Sequence, residues 1–265
     1  TFKGNGELDG GQTFSLTIAQ TDKATWSSSN ITLNTNSLGK FVLSSAEGGQ
    51  GIGGYDDNMP RAWEEVWDTG VSTNANFQKG VGSSTNISWT SPSFAGTTLQ
   101  VAYAPDNDGV QNNNKGTSGS ASDNFHEGID VVLDINANID AAGLNLFVGG
   151  SKTSKPGKTY HGAPYKDGDH EEAVVGLVVN FGPIEAGAQV SAERMRANSL
   201  NTPDYYGNSS WGVAFNVNDS LSVSYSEARH LMTKTHKSNA SGADGQRNIN
   251  EYTPKSWMRG DSIQV

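Results

Sequence analysis

The stretch Trp211-Gly212-Val213-Ala214-Phe215-Asn216-Val217-Asn218-Asp219-Ser220-Leu221-Ser222-Val223-Ser224-Tyr225-Ser226 holds two apolar ladders separated by one turn. Trp211, Val213, Phe215 and Val217 fall on one side of an extended chain, and Gly212, Ala214 and Asn216 on the other. Beyond Asn218-Asp219-Ser220 the alternation resumes, with Leu221, Val223 and Tyr225 against Ser222, Ser224 and Ser226. Successive side chains of a strand point to opposite faces, so a period of two marks a strand that is apolar on one face only. Asn, Asp and Ser favour the turn between. The stretch reads as an antiparallel hairpin.

The same period runs outward through the chain. Phe14, Leu16 and Ile18 alternate with Thr13, Ser15 and Thr17, and Ile31 and Leu33 with Thr32 and Asn34. Leu99, Val101 and Tyr103 repeat it. So do Ile129, Val131, Leu133 and Ile135, with Asp130 and Asp134 between them. Val175, Leu177, Val179 and Phe181 follow, then Ala186, Ala188 and Val190. The expected strands are 2–8, 12–20, 28–35, 40–45, 85–91, 97–104, 128–135, 144–151, 172–181, 186–193, 209–217, 220–228 and 261–265, about 13 in all.

Connections alternate in length. Asp9-Gly10-Gly11, Asn36 to Gly39, Pro92 to Gly96, Asn136 to Gly143, Gly182 to Glu185 and Asn218 to Ser220 are short. Residues 22–27, 46–84, 105–127, 152–171, 194–208 and 229–260 are longer polar stretches. Short turns at one end and long loops at the other describe an up-and-down outer-membrane barrel; Greek-key sandwiches mix the two.

Composition agrees. Of 265 residues, 34% are hydrophobic, 17% are charged and 32 are glycine, too few apolar residues for an ordinary soluble core. A disordered chain would share that poverty but would not keep a strict period of two. The net charge of −10 argues against a nucleic-acid partner, which needs a basic face. There is no cysteine for a disulfide or a thiolate metal site. No run of about 18 apolar residues provides a transmembrane helix, a test to which barrels are blind.

One segment stands outside the alternation. After strand 40–45 the chain runs Glu47-Gly48-Gly49-Gln50-Gly51-Ile52-Gly53-Gly54-Tyr55-Asp56-Asp57, then Asn58-Met59-Pro60-Arg61-Ala62-Trp63-Glu64-Glu65-Val66-Trp67-Asp68. The glycines allow a sharp departure from the wall. Asn58 is placed to cap, and Pro60 to start, a short helix running to about Trp67. Asp56, Asp57, Glu64, Glu65 and Asp68 form a dense acidic cluster.

The strand LGKFVL, the glycine-rich stretch, YDD and AWEEVWDTG resemble the general trimeric porins of Gram-negative bacteria, most closely those of marine alphaproteobacteria. GNGELDGG near the start and FNVNDSLSVSYSE (Phe215 to Glu227) resemble the same family. The resemblance implies a transmembrane antiparallel barrel of about 16 strands. This chain would hold its second strand to the start of its fourteenth, as a single domain over 1–265 that is incomplete at both ends. Counted that way, strand 40–45 is the fifth, and the loop 46–84 after it is the one that the family folds inward to narrow the pore. Such barrels close on an aromatic residue, whereas this chain ends on Val265.

The resemblance further implies a transverse field across the constriction, with acidic loop residues facing basic wall residues. Asp56, Asp57, Glu64, Glu65 and Asp68 match the acidic side; Lys3 and Lys40 on the wall and Arg61 on the loop are the basic candidates. Asp130 and Asp134 add negative charge to the lumen, so cation preference is expected. Trp89, Trp211, Phe181, Tyr103, Tyr225 and Phe215 are placed for the lipid interfaces, and Trp63 and Trp67 to wedge the loop against the wall. The implied partners are two further copies in a homotrimer, outer-membrane lipid and lipopolysaccharide, and small hydrophilic solutes.

Other chemistry is weakly signalled. Glu64 and Glu65 are adjacent and would point apart on a helix, so an enzyme is not expected. Pro105-Asp106-Asn107-Asp108-Gly109 lacks the distal Glu of a calcium loop and reads as a turn. His161 and His170 read as surface histidines, and no metal or cofactor is expected. The function expected is a general diffusion porin of the bacterial outer membrane. The alternatives are a substrate-selective channel or a non-channel adhesin.

Overall fold

The structure is a computed structural model that describes the chain except for residues 21–25, 46–47, 57, 63–76, 83, 106–126, 155–157, 161–162, 166–168, 195–202, 219, 235–255 and 265. Thirteen strands form one antiparallel sheet. In chain order they are β1 (Phe2–Glu7), β2 (Thr13–Gln20), β3 (Trp26–Thr35), β4 (Gly39–Ser45), β5 (Asn86–Thr90), β6 (Thr97–Ala104), β7 (Gly128–Ile139) and β8 (Ala142–Thr153). A small hairpin, β9 (Lys158–Tyr160) and β10 (Ala163–Tyr165), stands apart from that sheet. The wall continues with β11 (His170–Phe181), β12 (Ile184–Arg194), β13 (Pro203–Asn218), β14 (Leu221–Lys234) and β15 (Ser256–Gln264).

Each wall strand pairs with the one before it, so the topology is strictly up and down. The connections at one end are all six residues or fewer, and those at the other are longer, as the sequence predicts. The exception is the β2–β3 connection, expected as the stretch 22–27, which is only five residues because β3 already starts at Trp26. A 12-residue strand such as β7 or β11 is about 40 Å long at ~3.3 Å per residue. Tilted by ~40°, it spans roughly 30 Å of height, enough to cross the apolar part of an outer membrane.

The two faces differ as the alternation requires. Leu16, Ile31, Leu43, Ile87, Tyr103, Ile129, Val131, Leu133, Val148, Val175, Leu177, Val190, Trp211, Val213, Phe215 and Val223 point outward and are exposed. Phe181 is exposed at the end of β11, and Tyr225 stacks at a tilt on Trp211 with ring centroids 5.3 Å apart. Trp89 is half-buried and donates its indole N–H to the Leu38 carbonyl at 2.6 Å. The opposite face carries Ser44, Asn86, Ser88, Asp130, Glu172, Gln189, Ser210 and Ser224, all buried. An apolar exterior and a polar interior invert the plan of a soluble domain and fit lipid outside and water inside.

The hydrophobic core lies inside the sheet, between wall and loop. Ile52 and Met59 of the loop pack with Val132, Phe147, Val174 and Val178 of the wall. Burying each such side chain stabilises by about 1.5–3 kcal/mol, so the inward position of the loop has a hydrophobic cause.

Several expectations are corrected. Strand β7 runs to Ile139 and β8 starts at Ala142, so the connection read as Asn136 to Gly143 is only two residues, Asp140 and Ala141. Asn136 and Asn145 project from the polar face and hydrogen-bond Asp134 at 2.6 and 2.8 Å, which is why a polar stretch there is strand and not turn. Strands β13 and β14 likewise extend into stretches read as loops. No helix starts at Pro60: residues 58–62 are irregular, and the helical turn among the described residues of the loop is a 3-10 turn at Gly51–Tyr55. The rest of the expected helix, with Trp63 and Trp67, lies outside the described residues. His170 is buried, not on the surface; His161 is outside the described residues.

Candidate functional site

The site is the loop between β4 and β5 and the wall that receives it. Gly51, at φ 63°, turns the chain inward, and its N–H donates to Oε1 of Gln100 on β6 at 2.9 Å. Gln50 accepts from the Ser88 hydroxyl on β5 at 2.6 Å. In the 3-10 turn, Ile52 donates its N–H to Oδ2 of Asp130 on β7 at 3.1 Å. Tyr55 donates its hydroxyl to Oδ2 of Asp134, four residues farther along β7, at 2.9 Å. The Tyr55 ring lies 4.8 Å from that of Phe147. Burial, reinforced by the Asp134 charge, raises the Tyr55 phenol above its ordinary pKa, so the donor keeps its proton.

The loop then crosses the lumen. The Asp56 carbonyl accepts from Nε2 of Gln189 on β12 at 3.1 Å. Ala62 donates its N–H to the Ser224 hydroxyl on β14 at 2.8 Å. The returning leg is gripped as firmly. Lys79 and Gly80 donate their backbone N–H groups to the two oxygens of Glu172 on β11, at 2.9 and 2.6 Å. Val81 donates to the same Asp130 oxygen as Ile52, at 3.1 Å. One loop thus touches the inner face of β5, β6, β7, β11, β12 and β14, which requires a wall that curls around it.

Glycines make the approach possible. A Cβ at Gly51 or at Gly80, both with left-handed φ, would collide with the Asp130 carboxylate. On the wall, a Cβ at Gly149 would stand 2.7 Å from Cγ2 of Ile52, and one at Gly187 2.8 Å from Cδ of Pro60. At Gly212 it would strike the Pro60 carbonyl. Glycine inside a strand marks close approach of another chain segment. Gly149, Gly187 and Gly212 all sit on the inner face, in notches for Ile52 and Pro60.

Asp56 is half-buried at the turn where the loop heads for β12. Asp57, Glu64, Glu65 and Asp68 lie outside the described residues. Lys3 and Lys40 are exposed on β1 and β4. Lys3 pairs in register with Thr17 and Lys40 with Thr90, placing both on the face opposite the apolar ladders. Arg61 is half-buried and donates to the Met59 carbonyl at 3.1 Å. Asp130 is fully buried as a loop anchor, whereas Asp134 is half-buried beside Tyr55, Asn136 and Asn145.

An inward loop pinned across the lumen of an up-and-down sheet is the decisive arrangement, and residues 1–252 match the family of Gram-negative porins. The chain belongs to that family. This porin is therefore a β-barrel channel protein of the bacterial outer membrane and not an enzyme.

Solved structures similar to this porin include the anion-selective porin from Comamonas acidovorans, at 14% identity and TM-score 0.43, covering 98% of this chain and 86% of that one. Outer-membrane-expressed OmpT of Vibrio cholerae is 8% identical with TM-score 0.45, covering 99% and 88%. A mutant of Rh. blastica porin is 15% identical with TM-score 0.38, covering 98% and 88%. No curated protein sequence matches.

Sequence reasoning missed the anchors Gln100, Glu172, Gln189 and Ser224. Two signals were present: polar residues at inward positions of the alternation, and glycines recurring at such positions in β8, β12 and β13.

Proposed function

We propose that this porin is a general diffusion channel for small hydrophilic solutes and ions, with a preference for cations, working as a homotrimer. The observation that carries the reading is the loop crossing between its anchors at Gln100 and Ser224. A segment held at both ends along a polar wall narrows an aqueous lumen. Its sequence places Asp56, Asp57, Glu64, Glu65 and Asp68 on the constricting element, with Asp134 on the wall beside it. Lys3, Lys40 and Arg61 are the opposing charges. A low-dielectric wall focuses the field of such charges into the aperture, raising local cation concentration. Asp130 contributes less, because its carboxylate is buried and engaged by two amides.

The trimer and the contact with lipopolysaccharide rest on family membership. The test is planar-bilayer recording of the full-length protein under a KCl gradient. Conductance in steps of three with a reversal potential favouring K⁺ supports the reading. A reversal potential favouring Cl⁻ removes the cation preference, and inserted protein without conductance removes the open pore.

A further inference from the structure

One rung of the inner wall is built for more than holding the loop. Asp130, Ser151, Glu172 and Glu193 are successive register partners across β7, β8, β11 and β12. Alternation puts His170, two residues before Glu172, on the same face. His170, Glu172 and Glu193 are 3%, 5% and 1% exposed. One donor atom from each, an imidazole nitrogen and two carboxylate oxygens, lies within 4.8 Å of the others. Nε2 of His170 is 2.9 Å from Oε1 of Glu193.

Pairing between His170 and Glu193 alone does not account for this rung. Glu172 and Asp130 bring two more buried carboxylates, each gripped by backbone amides of the loop. Between them stands Ser151. Its hydroxyl and Oδ1 of Asp130, its register partner on β7, are both buried. Each Glu172 oxygen accepts one amide and keeps a second lone pair. Glu172 therefore has spare acceptor capacity, and the three side chains combine little exposure with two acidic groups at close range.

We propose that His170, Glu172 and Glu193 form a binding site for a divalent first-row transition cation, zinc or manganese, and that the bound ion ties β11 and β12 to the returning leg of the loop. Imidazole suits these metals better than calcium or magnesium, and carboxylates complete the set. Two ligands of one tetrahedral zinc stand roughly 3.4 Å apart, from bond lengths of ~2.0–2.2 Å. Donor atoms within 4.8 Å of one another must therefore close by at most about 1.4 Å, which side-chain rotations can supply. Binding uses the neutral imidazole through Nε2 with its N–H on Nδ1, and displaces the hydrogen bond between His170 and Glu193. Glu172 then joins the ion to the Lys79 and Gly80 amides. The site is independent of which ion the pore prefers.

The test uses the full chain refolded in detergent, stripped with EDTA and dialysed against Zn²⁺ or Mn²⁺. Bound metal is measured by mass spectrometry, and Mn²⁺ by pulsed electron paramagnetic resonance. The expected result is about one ion per chain, with nitrogen coupling from a single imidazole. His170→Gln and Glu193→Gln should each weaken binding at least ~10-fold while the barrel keeps its heat-modifiable mobility. Zinc should also slow tryptic cleavage after Lys79. No stoichiometric metal, no imidazole coupling in the unaltered protein, or equal affinity in both folded variants overturns the site. Unchanged cleavage overturns the tie to the loop. The resonance measurement needs no variant, so a variant that fails to fold leaves the proposal exposed.

Discussion

Ile52 and Val81, which flank the loop's departure from the wall and its return, donate their backbone N–H groups to the same oxygen of Asp130, each at 3.1 Å. One carboxylate therefore closes the base of the loop. Replacing it with Ala leaves two buried amides unsatisfied, each costing ~1–3 kcal/mol. Asp130→Ala should destabilise the refolded protein by about 2–6 kcal/mol in denaturant titrations and make single-channel current noisier. A quiet channel of unaltered stability would show that the loop is held elsewhere.

The notch at Gly212 can be filled. Gly212→Val places a side chain where the Pro60 carbonyl now sits, so the loop must shift while the sheet persists. Open-channel conductance should change measurably, with strand content unchanged by circular dichroism. Gly150→Ala is the control: its Cβ would find nothing nearer than 3.6 Å, and conductance should match the unaltered protein.

Leu133 and Asp134 are neighbours on opposite faces of β7 near mid-height. Leu133→Lys puts a charge against lipid and should cost ~2–4 kcal/mol of folding stability in lipid vesicles. Asp134→Lys stays in the lumen, so it should fold and move the reversal potential towards anions. Equal penalties for both would mean that the two faces do not see different solvents.

The Asp56→Asn, Asp57→Asn pair should lower K⁺ over Cl⁻ selectivity if these carboxylates face the aperture. A reversal potential identical to that of the unaltered protein would remove them from the constriction.

Tyr55 links the loop turn to Asp134. Its folded pKa is raised above the unfolded value of 10.0, so its contribution is complete below about pH 10 and is lost as pH rises through the folded value. Tyr55→Phe should cost about 1 kcal/mol at neutral pH. It should also abolish the part of alkaline destabilisation that follows phenol ionisation, read by absorbance near 295 nm. If the variant and the unaltered protein lose stability in parallel above pH 10, the hydrogen bond has no such role.

The wall was legible because lipid on one side and water on the other force a period of two on every strand. It was less legible at strand ends, where Asn136, Asn138 and Asn145 look like turn residues yet occupy positions at which polarity is permitted. The loop was legible from its glycines and its break in alternation. Its anchors were not, because Glu172 lies 92 residues from Gly80 and nothing local in β11 announces the pairing. His170 read as a surface residue for the same reason: its burial depends on packing between segments far apart in the chain.

That separation has a consequence for the order of assembly. Ala62 meets Ser224 across 162 residues, and Asp56 meets Gln189 across 133. Contacts of such long range form late, after the loop-closure entropy has been met by strand pairing. The loop's crossing of the lumen cannot be completed until β12 and β14 are in place, so a nascent barrel begins wide and acquires its crossbar last. A chain stalled before β14 would lack the far anchor at Ser224.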